Sequence, residues 1–362
     1  MKTVNKLCIF FLVVSLVLVG CARVEPEVRE RKISFLEKFN ALNVESLPGE
    51  SIVVEIADQQ GPLRIEMKQT ELEGRTVIVP AQGQNCPAEY NFSFDGSKTF
   101  LRTAAGLWLV ETNGTLRTLV FEESRYRELR EEYIKRFQSD GLLWVGPILV
   151  NEAGSRIVYT SDRNTWEKCW VEIFCYDLTT GKEILFSEVE AELILPEGWL
   201  NEEQFLCTAL TENARQLLLL KSDGSVTELQ AESKFPSVYD VCGNRIAYAA
   251  HLSSSEVYIG EVTEDLKLKT LYFGKLGEST RLRPGKNGFD PSGEKFAAIV
   301  VPEDDPRGRL IAVVHIASGE VEYLLPEEMA SVTESLWKDE NTIVLSGLDH
   351  QNKAIYTTVT VK

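Results

Sequence analysis

The residues able to do chemistry are few and scattered. The chain of 362 residues has three histidines and seven cysteines. His251, His315 and His350 stand far apart, with no acid–base companion at a recognisable spacing, so none forms a catalytic signature. Five cysteines (Cys86, Cys169, Cys175, Cys207 and Cys242) lie beyond residue 21 without a CxxC, so neither a redox motif nor a zinc knuckle is indicated. Cys169 and Cys175 flank WVEIF; within a single strand they would share a face but lie too far apart to bridge, and buried apolar cysteines are expected. Glu303-Asp304-Asp305 could offer carboxylates to Ca²⁺, but the spacing matches no calcium loop and reads as a solvated hairpin loop. Asp162-Arg163-Asn164-Thr165-Trp166 is a polar loop with an exposed-looking tryptophan, able to anchor a sugar or a protein by stacking. Asp162, Arg163, Trp166, Asp304 and Asp305 are therefore the candidate binding-loop residues. GxSxG, HExxH, GxxxxGK[ST], GxGxxG and an EF-hand loop are all missing from the chain, and no catalytic residue, metal or cofactor is expected.

One cysteine stands in a different context. Lys2 and Lys6 precede a run without charge, Leu7–Gly20, of 14 residues, the length of a signal-peptide core and shorter than a bilayer span. It ends Leu18-Val19-Gly20-Cys21. This resembles the bacterial lipoprotein signal, the lipobox, at all four positions. The resemblance implies cleavage before Cys21, a diacylglyceryl thioether on its sulfur and a domain held outside the cell membrane. Ala22 follows the cysteine in place of Asp, which by the same resemblance gives no inner-membrane retention signal. Residues 1–20 read as signal peptide, 21–46 as anchor, tether (Ala22–Lys32) and short helix (Ser34–Leu42), and 47–362 as the folded domain.

The composition restricts partners. The net charge is −17, and removing residues 1–20 takes two lysines and no acid, leaving −19. Such a surface repels phosphate backbones and anionic headgroups, so nucleic acid is excluded and any membrane attachment is through lipid.

The elements that must carry these residues are strands in a repeat. Six pieces share one grammar: a polar turn (DGSK, EAGSR, NEEQ, CGNR, PSGEK, KDENT), a strand, a loop and a second strand. Most then add a tight turn, as in TNGT, SDGS and IASGE, and a closing strand. The turns fall near residues 96, 154, 202, 243, 293 and 340, at intervals of 58, 48, 41, 50 and 47. That is the period of a four-stranded propeller blade. Alternation in LWLVET and TIVLSG suggests half-buried strands. LPGESIVVEI at Leu47 is a degenerate earlier match, and SIVVEI (Ser51–Ile56) is a candidate to complete the last unit, which lacks its fourth strand. The longest interval holds SRYRELREEYIKRFQ, an amphipathic helix near 124–138 that sets Tyr126, Leu129, Tyr133 and Phe137 on one packing face and suggests the pairs Glu131–Lys135 and Glu132–Arg136.

These units resemble the bacterial TolB-type propeller repeat. FSFDGSKTFLRT with LWLVETNGTLRTL, and FDPSGEKFAAIV with IAVVHIASGEVEYLL, carry the likeness. It implies an all-β propeller of four-stranded blades, six in number with seven as the alternative. In it Asp95 and Gly96 make a turn and Trp108 packs between blades. The function expected is a monomeric, non-catalytic scaffold binding a protein or cell-envelope component. The alternatives are a propeller-borne polysaccharide lyase or glycosidase, and a small-ligand sensor.

Overall fold

The computed structural model describes residues 51–362, except 59–60, 73–74, 82–87, 94–95, 188, 190, 212, 252–253, 278–279, 284–287 and 303–307. Cys21, the helix expected over Ser34–Leu42, Cys86, Asp95, Asp304 and Asp305 lie outside the described residues. The chain divides after Ser46, and the second unit, Leu47–Lys362, contains everything described below.

Strands build seven antiparallel sheets in chain order. Sheet 1 has β1 (Ile52–Asp58), β2 (Gly61–Leu72) and β3 (Arg75–Pro80). Sheet 2 has β4 (Glu89–Phe92), β5 (Lys98–Thr103), β6 (Gly106–Glu111) and β7 (Leu116–Val120). A helix, α1 (Glu123–Phe137), leads to sheet 3: β8 (Ile148–Val150), β9 (Arg156–Ser161), β10 (Glu172–Asp177) and β11 (Lys182–Leu185). Sheet 4 has β12 (Leu193–Trp199), β13 (Gln204–Leu210), β14 (Arg215–Lys221) and β15 (Val226–Leu229). Sheet 5 has β16 (Ser237–Cys242), β17 (Arg245–Ala249), β18 (Glu256–Val262) and β19 (Leu268–Lys275). Sheet 6 has β20 (Thr280–Arg283), β21 (Lys295–Pro302), β22 (Leu310–His315) and β23 (Val321–Leu324). Sheet 7 ends the chain with β24 (Met329–Asp339), β25 (Thr342–Asp349) and β26 (Ala354–Thr360).

Each polar turn expected from the repeat joins the first two strands of one sheet. Glycine is required in four of them: Gly96, Gly154, Gly243 and Gly293 take φ between 54° and 73°, where a Cβ is costly. The central strands are buried on both faces: β6 is buried at five of six positions, and β25 at five of eight. The half-buried reading of LWLVET and TIVLSG is corrected, because sheet 2 packs against a neighbour on each face and the successive residues Ile343, Val344 and Leu345 of sheet 7 are all buried. Phe100 and Leu107 face sheet 3, while Leu101 and Trp108 face sheet 1. Trp108 thus packs between two sheets, as its repeat position implied.

Radial packing accounts for the order. The first strands of successive sheets lie beside one another, β8 by β12 and β12 by β16, which sets them at the axis. Six apolar clusters join the six consecutive sheet pairs, from Val54–Leu101 between sheets 1 and 2 to Ile311–Leu345 between sheets 6 and 7. Among the described residues no such cluster joins sheet 7 to sheet 1.

The sheets number seven, the alternative count, because the degenerate first unit is a sheet of its own. One expectation is corrected here: SIVVEI does not complete sheet 7. Ile52–Asp58 pairs locally with Gly61–Met67, across a connection of two residues. The first sheet also runs in the opposite sense: β1 lies beside β6, the third strand of its neighbour, and β3 beside β5, the second. Its chain therefore enters at the outside and moves inward, whereas sheets 3, 4 and 5 start at the axis.

Candidate functional site under the helix

α1 is the one helix of the described propeller longer than a single turn. Its sequence favours it: Glu123 stands in the first turn, and Lys135 and Arg136 in the last, in accord with the helix dipole. Gln138 ends it in the left-handed region at φ 54°, its N–H donating to the Ile134 carbonyl. The expected face packs down. Tyr126 is 4% exposed and meets Trp144 edge-on with ring centroids 5.9 Å apart. Tyr133 and Phe137 cover Trp166 at 6.0 and 6.2 Å.

That cover corrects the reading of Trp166 as exposed. It is 8% exposed, in a 3-10 turn (Trp166–Lys168) beneath the helix, with the Arg136 guanidinium 5.6 Å from its ring. Arg163 is also turned inward. Its guanidinium lies 4.2 Å from the Phe174 ring and 5.5 Å from Trp144, and it pairs with Glu183, which also accepts from the Tyr159 hydroxyl. A stacked, paired arginine of this kind holds an interior together and leaves little to offer a ligand.

Asp162 is the third member of the loop. Its carboxylate accepts the Leu143 N–H at 2.9 Å, while its own N–H donates to the Leu143 carbonyl at 3.0 Å. Burial pushes the carboxyl up from 3.8 to about 7, against the lowering effect of the Leu143 bond. Asp162, Arg163 and Trp166 share one inward-turned loop of sheet 3, with Trp166 buried under α1 and Asp162 and Arg163 half-buried.

The remaining reactive groups are dispersed. His315 Nε2 lies 3.9 Å from the Glu322 carboxylate in sheet 6, and His350 Nε2 lies 3.0 Å from the Glu327 carbonyl in sheet 7. Cys175 and Cys207 are buried; Cys169 is exposed and precedes β10, so it does not share a strand with Cys175. Among the described residues, no group of three His, Cys, Asp or Glu gathers as a metal would require, and no helix is long and apolar enough to cross a membrane.

The concave feature lies on the other flank of α1, and sequence reasoning missed it. A cleft of about 430 Å³ opens between the helix and the β1–β2 hairpin. Glu55, Asp58, Glu123 and Glu131 supply carboxylates to its wall, Arg127 and Arg130 supply guanidiniums, and Phe121 and Tyr126 supply rings. Arg127 pairs with Glu123 at 2.5 Å, and Arg130 is held by both oxygens of Asp140 at 3.0 and 2.6 Å. The expected pairs Glu131–Lys135 and Glu132–Arg136 do not appear among the described ion pairs; Arg136 turns to Glu167 at 3.7 Å, and Glu131 faces the cleft. The Tyr126 hydroxyl is buried without a hydrogen-bond partner. Burial pushes its pKa up to about 12, so it is a neutral phenol at physiological pH.

No protein-family model and no curated protein sequence matches the chain. Solved structures do. The oligogalacturonate lyase from Vibrio parahaemolyticus aligns over 88% of this chain and 93% of its own at 11% identity, with a TM-score of 0.53. The propeller domain of the trilobed protease from Pyrococcus furiosus, described as having an open velcro topology, aligns over 84% and 88% at 11% identity and TM-score 0.51. The chain has the β-propeller fold. TolB from Acinetobacter baumannii aligns over 86% and 76% at 14% identity, with a TM-score of 0.39. At these identities the likeness to the lyase and to the protease domain is one of fold.

Proposed function

We propose that this propeller is a lipid-anchored, extracytoplasmic and non-catalytic binding scaffold for a protein or cell-envelope component. The observation that carries the reading is the uncharged run Leu7–Gly20 ending in Leu18-Val19-Gly20-Cys21, ahead of a propeller with an open cleft. Two or more acyl chains on Cys21 would hold an acidic domain at a surface that otherwise repels it. The dispersed histidines and the inward-turned Arg163 support binding over turnover.

Cys21→Ala is the test of the anchor. The full chain should move from the membrane fraction to the soluble fraction and lose labelling by radioactive palmitate. Continued membrane retention with no label in the parent chain would reject the lipid. For the scaffold role, the anchored chain is used to capture ligands from native envelope; release of reducing sugar from envelope polysaccharide by the purified chain would overturn the non-catalytic part.

A further inference from the structure

The second strands of sheets 2 to 6 all begin at one repeat position: Lys98, Arg156, Gln204, Arg245 and Lys295 open β5, β9, β13, β17 and β21. The four cations each reach past their own sheet, to the turn between the first two strands of the next. Lys98 Nζ donates to the Gly154 carbonyl at 3.0 Å, and Arg156 Nη1 to the Glu202 carbonyl at 2.7 Å. Arg245 donates to the Gly293 carbonyl and pairs with Glu294 at 2.9 Å. Lys295 Nζ donates to the Glu340 carbonyl at 2.9 Å and to Asn341 Oδ1 at 2.8 Å. Apolar packing brings neighbouring sheets together, but it does not ask for a cation at the same place in each unit, bonding forward in chain order. Sheet 4 departs from the pattern. Gln204 is folded into its own turn, where Asn201 Nδ2 donates to its Oε1 at 3.1 Å, and no hydrogen bond joins it to the 242–245 turn of sheet 5 among the described residues. That turn has room, since a Cβ on Gly243 would meet nothing within 4 Å. Sheets 4 and 5 rest on an apolar cluster that includes Leu206, Leu219, Ile246 and Tyr248.

We infer that these cations strap the sheets into two bodies, sheets 2–4 and sheets 5–7, and that the seam between sheets 4 and 5 is the hinge at which the bodies part. A strapped interface must break a charge-assisted hydrogen bond before it opens, and the apolar seam need not. Local opening therefore concentrates at the seam, and the loops of sheets 4 and 5 are the first to change their separation. The hinge goes beyond the scaffold reading and depends neither on it nor on the anchor.

The experiment follows labelling of thiols in the full chain by N-ethylmaleimide, read by peptide mass spectrometry. Cys207, fully buried in β13, faces sheet 3 and reports the strapped interface between sheets 3 and 4. Leu219, buried in the adjacent β14, faces sheet 5, so Leu219→Cys places a thiol that reports the seam. Trypsin cuts after Arg215 and leaves the two thiols on separate peptides. The introduced thiol should react about tenfold faster than Cys207, the weight of one charge-assisted hydrogen bond. Adding Gln204→Arg or Gln204→Lys, with the Gly243 carbonyl as its target, should slow the introduced thiol about tenfold and leave Cys207 unchanged. That comparison keeps the smaller side chain at position 219 constant. Arg156→Gln should speed Cys207 about tenfold, and Arg156→Lys should not, because Lys98 and Lys295 serve the same position. The inference is overturned if the two thiols react at equal rates in the Leu219→Cys chain, or if neither substitution at Gln204 slows the introduced one. It is equally overturned if Arg156→Gln leaves Cys207 as slow as before.

Discussion

Asp162→Asn is expected to make the propeller more stable above pH 7 and to leave it unchanged near pH 4. The carboxyl titrates at about 7 in the fold and near its ordinary value of 3.8 in the unfolded chain. Between those values the unfolded state has released its proton and the folded state has not. Stability from this group is therefore full below about pH 4, falls as pH rises to about 7, and stays low beyond. About three pH units correspond to roughly 4 kcal/mol. Asn keeps an oxygen for the Leu143 N–H and carries no charge to bury. Urea denaturation of parent and variant at pH 4.5 and pH 8 checks this. The two curves should nearly coincide at the lower pH and separate by about 2–4 kcal/mol at the higher. Coincidence at both would mean that Asp162 titrates as if in water. Arg163, next in sequence, offers Asp162 no relief, because its charge is spent on Glu183 and the surrounding rings.

Gly347→Ala should be the most damaging single-methyl change in sheet 7. Gly347 lies buried in β25 opposite Val332, at a place where the β24 register shifts. A Cβ there would stand 2.1 Å from the Ser331 carbonyl oxygen and 3.2 Å from the Val332 Cα. Both are backbone atoms, so no rotamer change relieves the clash; β24 must move, and with it Trp337, whose indole N–H donates to the Gly288 carbonyl at 2.8 Å in sheet 6. A loss of about 3 kcal/mol or more is expected, at the upper end of overpacking costs. Gly243→Ala provides the contrast. It sits at φ 54° with nothing within 4 Å, and should cost only about 1 kcal/mol of backbone strain. If the two variants lose equal stability by urea denaturation, the close approach of β24 and β25 is not what demands glycine.

Legibility in the sequence followed the range of the interactions. The turns at Gly96, Gly154, Gly243 and Gly293 were legible because a positive φ is a local demand with a local residue preference. The packed face of α1 was legible because Tyr126, Tyr133 and Phe137 repeat at helical spacing. Sheet 1 was undercounted because its reversed sense breaks the grammar of the other units: its strands follow one another from the outside inward, so its turns fall out of phase. Trp166 was misread because polar neighbours on its own loop say nothing of the helix that covers it from about 30 residues away. The cleft left no sequence signal. Asp58 and Glu131 line one cleft because sheet 1 lies beside the insertion that follows sheet 2, a proximity that no local pattern encodes.

Sheets joined pairwise by apolar clusters behave, energetically, as a row in which each interface couples only its neighbours. Sheets 2 to 6 are each clamped by two such clusters. β1 is one wall of the cleft and α1 the other, and α1 is fastened to sheets 2 and 3. Movement of sheet 1 against sheet 2 must therefore widen or narrow the cleft, which makes the cleft a gauge of that one interface.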